Sequence, residues 1–444
     1  MFHNSHSTAF LANKSLLLII IAIVMLISTT FISPVHAAKG WGAKPLAEKF
    51  RPNRGWIQRF PTTPNVIANG SISDAIDACD DIVGKGKYCV VEVTNTATGL
   101  PLEIYRSKTK LIGVADMNPL TTPENAIFIY IGDNTRQVII ENLNLQGHNA
   151  DDNNIYGIFV EGKNIRNIMI RNNKIHDFNS DSDAHGIAVY GTGKTSKQGI
   201  RNVIIEGNKV YSMRTGSSES IVINGNVKRW EIKGNDVYDV NNIAIDAIGG
   251  EGTSATRKDR KGRVLPGLFD AASYGFIEDN FVENMSTAGN PSYNNEESWA
   301  AAIYIDGGHH IQIANNVVKN SSWAYEVGAE NCLATRHISI TGNSATGSTF
   351  GDLSLGGYAK KGYKADKSIN CNPNTSDDAH EGHGYVKYIT VKNNQFNSEN
   401  TSEELIALQF RLTNTLILEP NVEAVNETGN GSAKGDQNAV KTEE

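Results

Sequence analysis

The chain has 444 residues, with 41 Lys and Arg against 48 Asp and Glu, a formal net charge of −7. At 39% hydrophobic and 20% charged residues it is too apolar for a disordered polymer, and its acidity disfavours a nucleic-acid partner. Its 41 glycines against 12 prolines, with abundant asparagine, suit a β architecture of many tight turns rather than a helical bundle.

Taken in chain order, Lys14, the unbroken apolar run 16–27 and Pro34-Val35-His36-Ala37 follow the order of a secretory signal peptide. Residues 1–37 are therefore expected to be removed on export, into the periplasm or beyond the cell. The apolar run falls short of the roughly 20 residues that span a bilayer, so no membrane segment is expected after cleavage. Residues 38–66 read as a lead-in, and 71–82 as an amphipathic helical stretch. The cysteines, Cys79, Cys89, Cys332 and Cys371, are even in number and contain no CxxC pair, which suits disulfides rather than zinc. Cys79 with Cys89 would close a short loop behind the helix, and Cys332 with Cys371 would tie two later loops.

One short pattern then recurs: IMIRNNKI, VIIEGNKV, WEIKGNDV, GFIEDNFV, IQIANNVV, ISITGNSA and ITVKNNQF. Its aligned asparagines are Asn173, Asn208, Asn235, Asn280, Asn316, Asn343 and Asn394, at intervals of 27 to 51 residues. A second strand precedes each, as in GIAVYG, SIVING, AIDAIGG, AIYIDG, AYEVGA and DLSLGG. Period-two alternation bounded by glycine marks short strands. A unit of three such strands cannot bury its inner face alone, so successive units must stack. One Asn per turn can ladder its amide along the stack at the β spacing of about 4.8 Å. The expected fold is all-β, a right-handed parallel β-helix over 67–421 with an N-terminal capping helix, a disordered tail over 422–444 and a monomeric state.

From about Ile67 to Asn421 the chain resembles the pectate lyase-like superfamily of secreted β-helix proteins. The segment ISDAIDACDDI, followed by YCVVEVTNTATG, is similar to the helical cap and first turn of that superfamily. IDAIGGEG, AIYIDGG and GAEN resemble exported β-helix proteins that include biofilm-matrix polysaccharide lyases. That resemblance identifies a group of proteins and leaves the substrate unnamed.

Alignment of the second strands turns residues such as Ile303 and Ile305 inward and the residues between them outward. One outward column reads Ala188, Val222, Asp246, Tyr304, Glu326, Ser354. The next reads Tyr190, Asn224, Ile248, Asp306, Gly328, Gly356. Asp246, Asp306 and Glu326 should therefore surround Tyr304, with Glu251, His309, His310, Glu330 and Asn331 just beyond the strands and His185 and Glu219 just before them. Being outward, these residues are expected to add little to packing. Clustered carboxylates suit a hard cation such as calcium, held by Asp246, Asp306 and Glu326. Two long insertions flank the face: 252–300, with Arg257, Lys258 and Tyr293, and 359–387, with Lys360, Lys361, Lys364 and Lys367. Their cations fit a polyanionic sugar.

Three functions are open. The first is β-elimination on a uronic-acid polysaccharide, with the carboxylates holding a cation and His309 or Tyr304, beside Asp306, moving the proton. Tyr190, Asn224, Arg257, Lys258, Tyr293, His310, Glu330 and Asn331 would bind the polymer. The second is an inverting glycoside hydrolase using two of Asp246, Asp306 and Glu326; a C5-epimerase would share the chemistry of elimination. The third is a non-enzymatic polysaccharide binder.

Overall fold

The residue that precedes each repeated asparagine is Asn, Gly or Asp: Asn172, Gly207, Gly234, Asp279, Asn315, Gly342 and Asn393. In the computed structural model each of them sits in the left-handed region, with φ between 56° and 70°. These are the residue types that enter that region at least cost. Each one bends the chain sharply between two short strands. A turn of the structure is formed by Ile200–Glu206, Lys209–Thr215 and Ile221–Gly225, after which Val227–Lys233 begins the next.

The structure describes residues 42–357, 384–409 and 411–419, with the backbone of 440–441. Each strand pairs in parallel with its equivalents one turn away: Ile200–Glu206 lies between Arg166–Arg171 and Val227–Lys233. Three sheets of 14, 9 and 10 strands result, called here the first, second and third. The exceptions are an antiparallel hairpin, Arg257–Lys258 with Val264–Leu265, and the pairing of Leu416–Leu418 with Val440–Lys441. This is the expected parallel β-helix. The segment 1–37, Lys360, Lys361, Lys364 and Lys367 of the second insertion and most of the tail lie outside the described residues. Among the described residues no helix is long and apolar enough to cross a membrane.

The asparagine ladder forms. The backbone amide and Nδ2 of Asn208 both donate to Asn235 Oδ1 at 2.9 Å, and Nδ2 also reaches the Ile170 carbonyl at 3.0 Å. The same pattern repeats up the stack until Asn394 donates twice to Glu419 Oε1 at 2.8 Å. Each rung thereby satisfies a buried amide that a turn would otherwise orphan. Inside, aliphatic side chains stack in register, Ile187 on Ile221, Ile245 and Ile303, all fully buried.

The helix occupies Ile72–Val83; Ser71 Oγ accepts from the Asp74 amide at 3.1 Å at its start. It buries Ile72, Ala75, Ile76 and Cys79, and Cys79 is bonded to Cys89. Cys332 is also disulfide-bonded; its expected partner Cys371 lies outside the described residues.

The lead-in does more than connect. It runs across the outer side of the first sheet, where Trp56 and Phe60 cover Val90, Ile139, Met169 and Ile204. Arg51 reaches Glu231 and Glu278, and Arg54 reaches Glu206 and Glu231. Further along, the amides of Leu46 and Ala43 donate to Gln312 and Thr390. This accounts for the apolar residues at outward positions of IMIRNN and VIIEGN.

Candidate active site

The outward columns of the third sheet have the register read from the sequence. Asp246 pairs with Tyr304, Tyr304 with Glu326, and Tyr190 with Asn224. Their exposure is not as expected. Asp246, Tyr304, Asp306 and Glu326 are only 2%, 4%, 4% and 1% exposed, so these side chains are packed, not solvent-facing. The segments just beyond the strands fold back over the sheet, and the site lies where they meet it.

Tyr304 stands in register between Asp246 and Glu326 on the neighbouring rungs. Its hydroxyl donates to Glu330 Oε1 at 2.9 Å. The Glu330 amide donates to Asp306 Oδ1 at 2.7 Å, and Asn331 Nδ2 to Asp306 Oδ2 at 3.1 Å. Gly328 is required here, since a Cβ would fall 2.5 Å from the Tyr304 hydroxyl. Asp246 Oδ1 accepts from the Ala247 amide at 2.5 Å. One rung earlier, Asn224 donates to Glu251 Oε2 at 2.6 Å and accepts from Thr253 at 2.8 Å. His185 Nδ1 contacts the Glu219 carbonyl at 2.7 Å, and its Nε2 lies 3.3 Å from the Tyr190 hydroxyl.

The charges acting most strongly on these acids are those of one another. Burial, then Glu219, Asp306 and Glu251, pushes Asp246 well above the carboxylate range. Burial, then Glu330 and Glu251, does the same to Asp306, and burial with Glu251 to Glu219. Glu251 keeps an opening to solvent, yet crowding protein and the charge of Glu330 raise it to about 7, against the Asn224 hydrogen bond. Glu251 stands beyond the end of the Ile245–Ile248 strand, where it remains exposed. Tyr293, of the first insertion, donates to Asn242 Oδ1 at 3.1 Å; burial, against that bond and with the charges of Glu219 and Glu330, raises it. Among the described residues Glu219, Asp246, Glu251 and Asp306 pair with no Lys or Arg.

Tyr190, Asn224, Tyr293, Glu330 and Asn331 thus join the acids. Other expected site residues stand apart. His309 and His310 belong to the first sheet, around the Gly307–Gly308 corner. Burial, then Arg336, His310 and Lys228, holds His309 down at about 3, so the charges that dominate it are cationic. His310 stacks between Tyr274 and His337. Arg257 and Lys258 are exposed on the antiparallel hairpin. Among the described residues no group of three or more His, Cys, Asp and Glu is disposed to hold a metal ion. Both oxygens of Asp306 are bonded to protein donors.

Sequence reading placed Glu219 and Glu251 only as flanking residues; their loop-borne carboxyls prove central. It missed an aromatic run as well. Tyr105, Tyr130, Phe159 and Tyr190 touch in sequence, with ring centroids 6.1, 6.2 and 5.2 Å apart, and lead along the third sheet toward the acids. The signal was available, because Tyr130 and Phe159 continue the outward column that carries Asp246.

No family model matches the chain. The uncharacterized protein YwoF of Bacillus subtilis (strain 168) is 36% identical over 209 residues, 46% of this chain and 41% of that relative's length. Among solved structures, the Streptococcus pneumoniae surface adhesin PfbA aligns at a TM-score of 0.38 and 14% identity, covering 82% of this chain and 95% of the adhesin. The catalytic unit of a GH87 alpha-1,3-glucanase from Streptomyces thermodiastaticus aligns at 0.36 and 14% identity, covering 80% and 67%. The GH82 iota-carrageenase from A. fortis aligns at 0.31 and 13% identity, covering 70% and 63%.

Proposed function

We propose that this protein is an exported enzyme that acts on polysaccharide by hydrolysing glycosidic bonds in the groove along the third sheet. The observation that carries this reading is the pair Glu251 and Glu330, two carboxyls near solvent, one held at about 7 by crowding and by the charge of the other. A carboxyl raised in this way holds a proton to give, and its neighbour is left to take one. Glu251 gives its proton to the glycosidic oxygen as that bond breaks, and Glu330, oriented by Tyr304, takes a proton from the water that bonds to the anomeric carbon. The aromatic run offers faces on which successive pyranoses stack. The Cys79–Cys89 bond supports an oxidising compartment.

β-Elimination is the second reading, supported by Arg257 and Lys258 on the exposed hairpin, where they could meet uronate carboxylates. One assay separates the two. The protein is incubated with neutral and uronate polysaccharides, with and without calcium. New reducing ends without ultraviolet-absorbing product are expected; unsaturated product would replace hydrolysis by elimination. Neither product on any polymer would leave a binder.

A further inference from the structure

The first sheet carries a second column, at the start of its strands. Arg136 pairs with Arg166, Arg166 with Arg201, and Arg201 with Lys228. After Ser273 and His309 the column resumes with Arg336 and Lys387. Four cations on consecutive rungs at about 4.8 Å span about 14 Å along the solenoid. Like charges so placed repel, and folding alone gives no reason to line them up.

Elsewhere on this sheet cations are neutralised: Lys110 and Arg171 by Glu141, and Lys233 by Asp279. In the column they are not. Among the described residues none of the six has a carboxylate at ion-pairing distance. Arg166 and Arg201 meet carbonyls of Lys197 and Ser196, and Lys228 meets Ser196 Oγ and the Phe269 ring. Nε of Arg166 and of Arg201 is buried with no hydrogen-bond partner. Burial and then Arg166 lower Arg201, and burial and then Arg201 lower Lys228, the marks of cations crowded without counter-charge.

We infer that this column is a binding site for a linear acidic polysaccharide lying along the solenoid axis, its carboxylates meeting successive rungs. One rung is close to the length of one pyranose, so a polyuronate can present its charges in step. Single-stranded nucleic acid fits less well. The adjoining aromatics, Tyr274, His310, His337 and Tyr388, are stacked on one another at 4.4 to 4.9 Å, which occupies the faces that bases would need. The site is separated from the acids by the Gly307–Gly308 corner and does not depend on the hydrolytic reading.

The test is calorimetric titration of the full chain with sodium polygalacturonate at low and raised salt, beside polyphosphate, a single-stranded oligodeoxynucleotide and a neutral glucan. Polygalacturonate should bind, more weakly as salt rises, and any binding of the neutral glucan, in the groove of the acids, should not depend on salt. Arg166→Gln/Lys228→Gln should weaken binding by about a hundredfold or more, since two charge-assisted contacts are lost. Arg136→Gln/Arg336→Gln, at residues that pack less, is the check if the first pair unfolds. Glu251→Gln should bind the polymer as wild type does, whether or not it cleaves. Absence of binding at low salt, unchanged affinity in the folded variants, or an equal or tighter affinity for polyphosphate or the oligonucleotide would each overturn the inference.

Discussion

The Tyr304 hydroxyl donates to Glu330 at 2.9 Å from a ring that is itself buried against the third sheet. A rigid strand thereby aims a donor at a carboxyl on a loop. Tyr304→Phe keeps the ring and removes that donor. Turnover should fall about tenfold to a hundredfold with KM little changed and the melting temperature nearly kept. An unchanged kcat would remove Tyr304 from the reaction.

In the proposed hydrolysis Glu251 sets the pH dependence: a proton donor must be protonated, so kcat/KM should fall as pH rises through about 7. Glu251→Gln should abolish that limb along with most of the activity. The same shift has a stability consequence. A carboxyl whose folded pKa is raised binds more protons folded than unfolded, so the wild type should lose stability between about pH 4.5 and 7 relative to Glu251→Gln. Melting curves of both proteins across that window check the sign.

Asp306 links the strand to the loop bearing Glu330 and Asn331. Asp306→Ala should cost about 1–3 kcal/mol, because the Glu330 amide and Asn331 Nδ2 lose their acceptor in a buried place. Urea unfolding measures this, and a variant as stable as wild type would mean that the loop finds other partners. Asp306→Asn keeps one acceptor and relieves the repulsion from Glu330, so its loss should be smaller.

Asn235 accepts two hydrogen bonds from Asn208 and makes three of its own. Asn235→Leu should destabilise the solenoid by at least about 1–3 kcal/mol through stranded amides on both neighbouring rungs. Thermal unfolding should shift as one transition; a local loss that leaves the main transition in place would argue against a continuous stack.

Trp56 tests the lead-in. Trp56→Ala should cost about 3–5 kcal/mol by uncovering Val90, Ile139, Met169 and Ile204. Proteolysis near residue 56 should become fast in the variant and slow in wild type. Equal rates would show that the segment is only loosely laid on the sheet.

The sequence by itself determined the solenoid, because that fold is local and repetitive. The left-handed residue before each Asn, the inward aliphatics and the Asn ladder are each specified within a few residues and recur with every turn. Register along the third sheet followed from the same alternation, so the columns of Asp246 and Tyr304 could be read in advance. Tertiary structure decided which residues form the site. Glu251, Tyr293 and Glu330 reach it from loops whose course no periodicity encodes, while His309, only three residues after Asp306, is carried around a corner onto another sheet. Burial was likewise invisible in the strands, since an outward side chain faces solvent only where no loop folds back over it. That return of the loops turned a row of surface carboxylates into a crowded, proton-holding cluster.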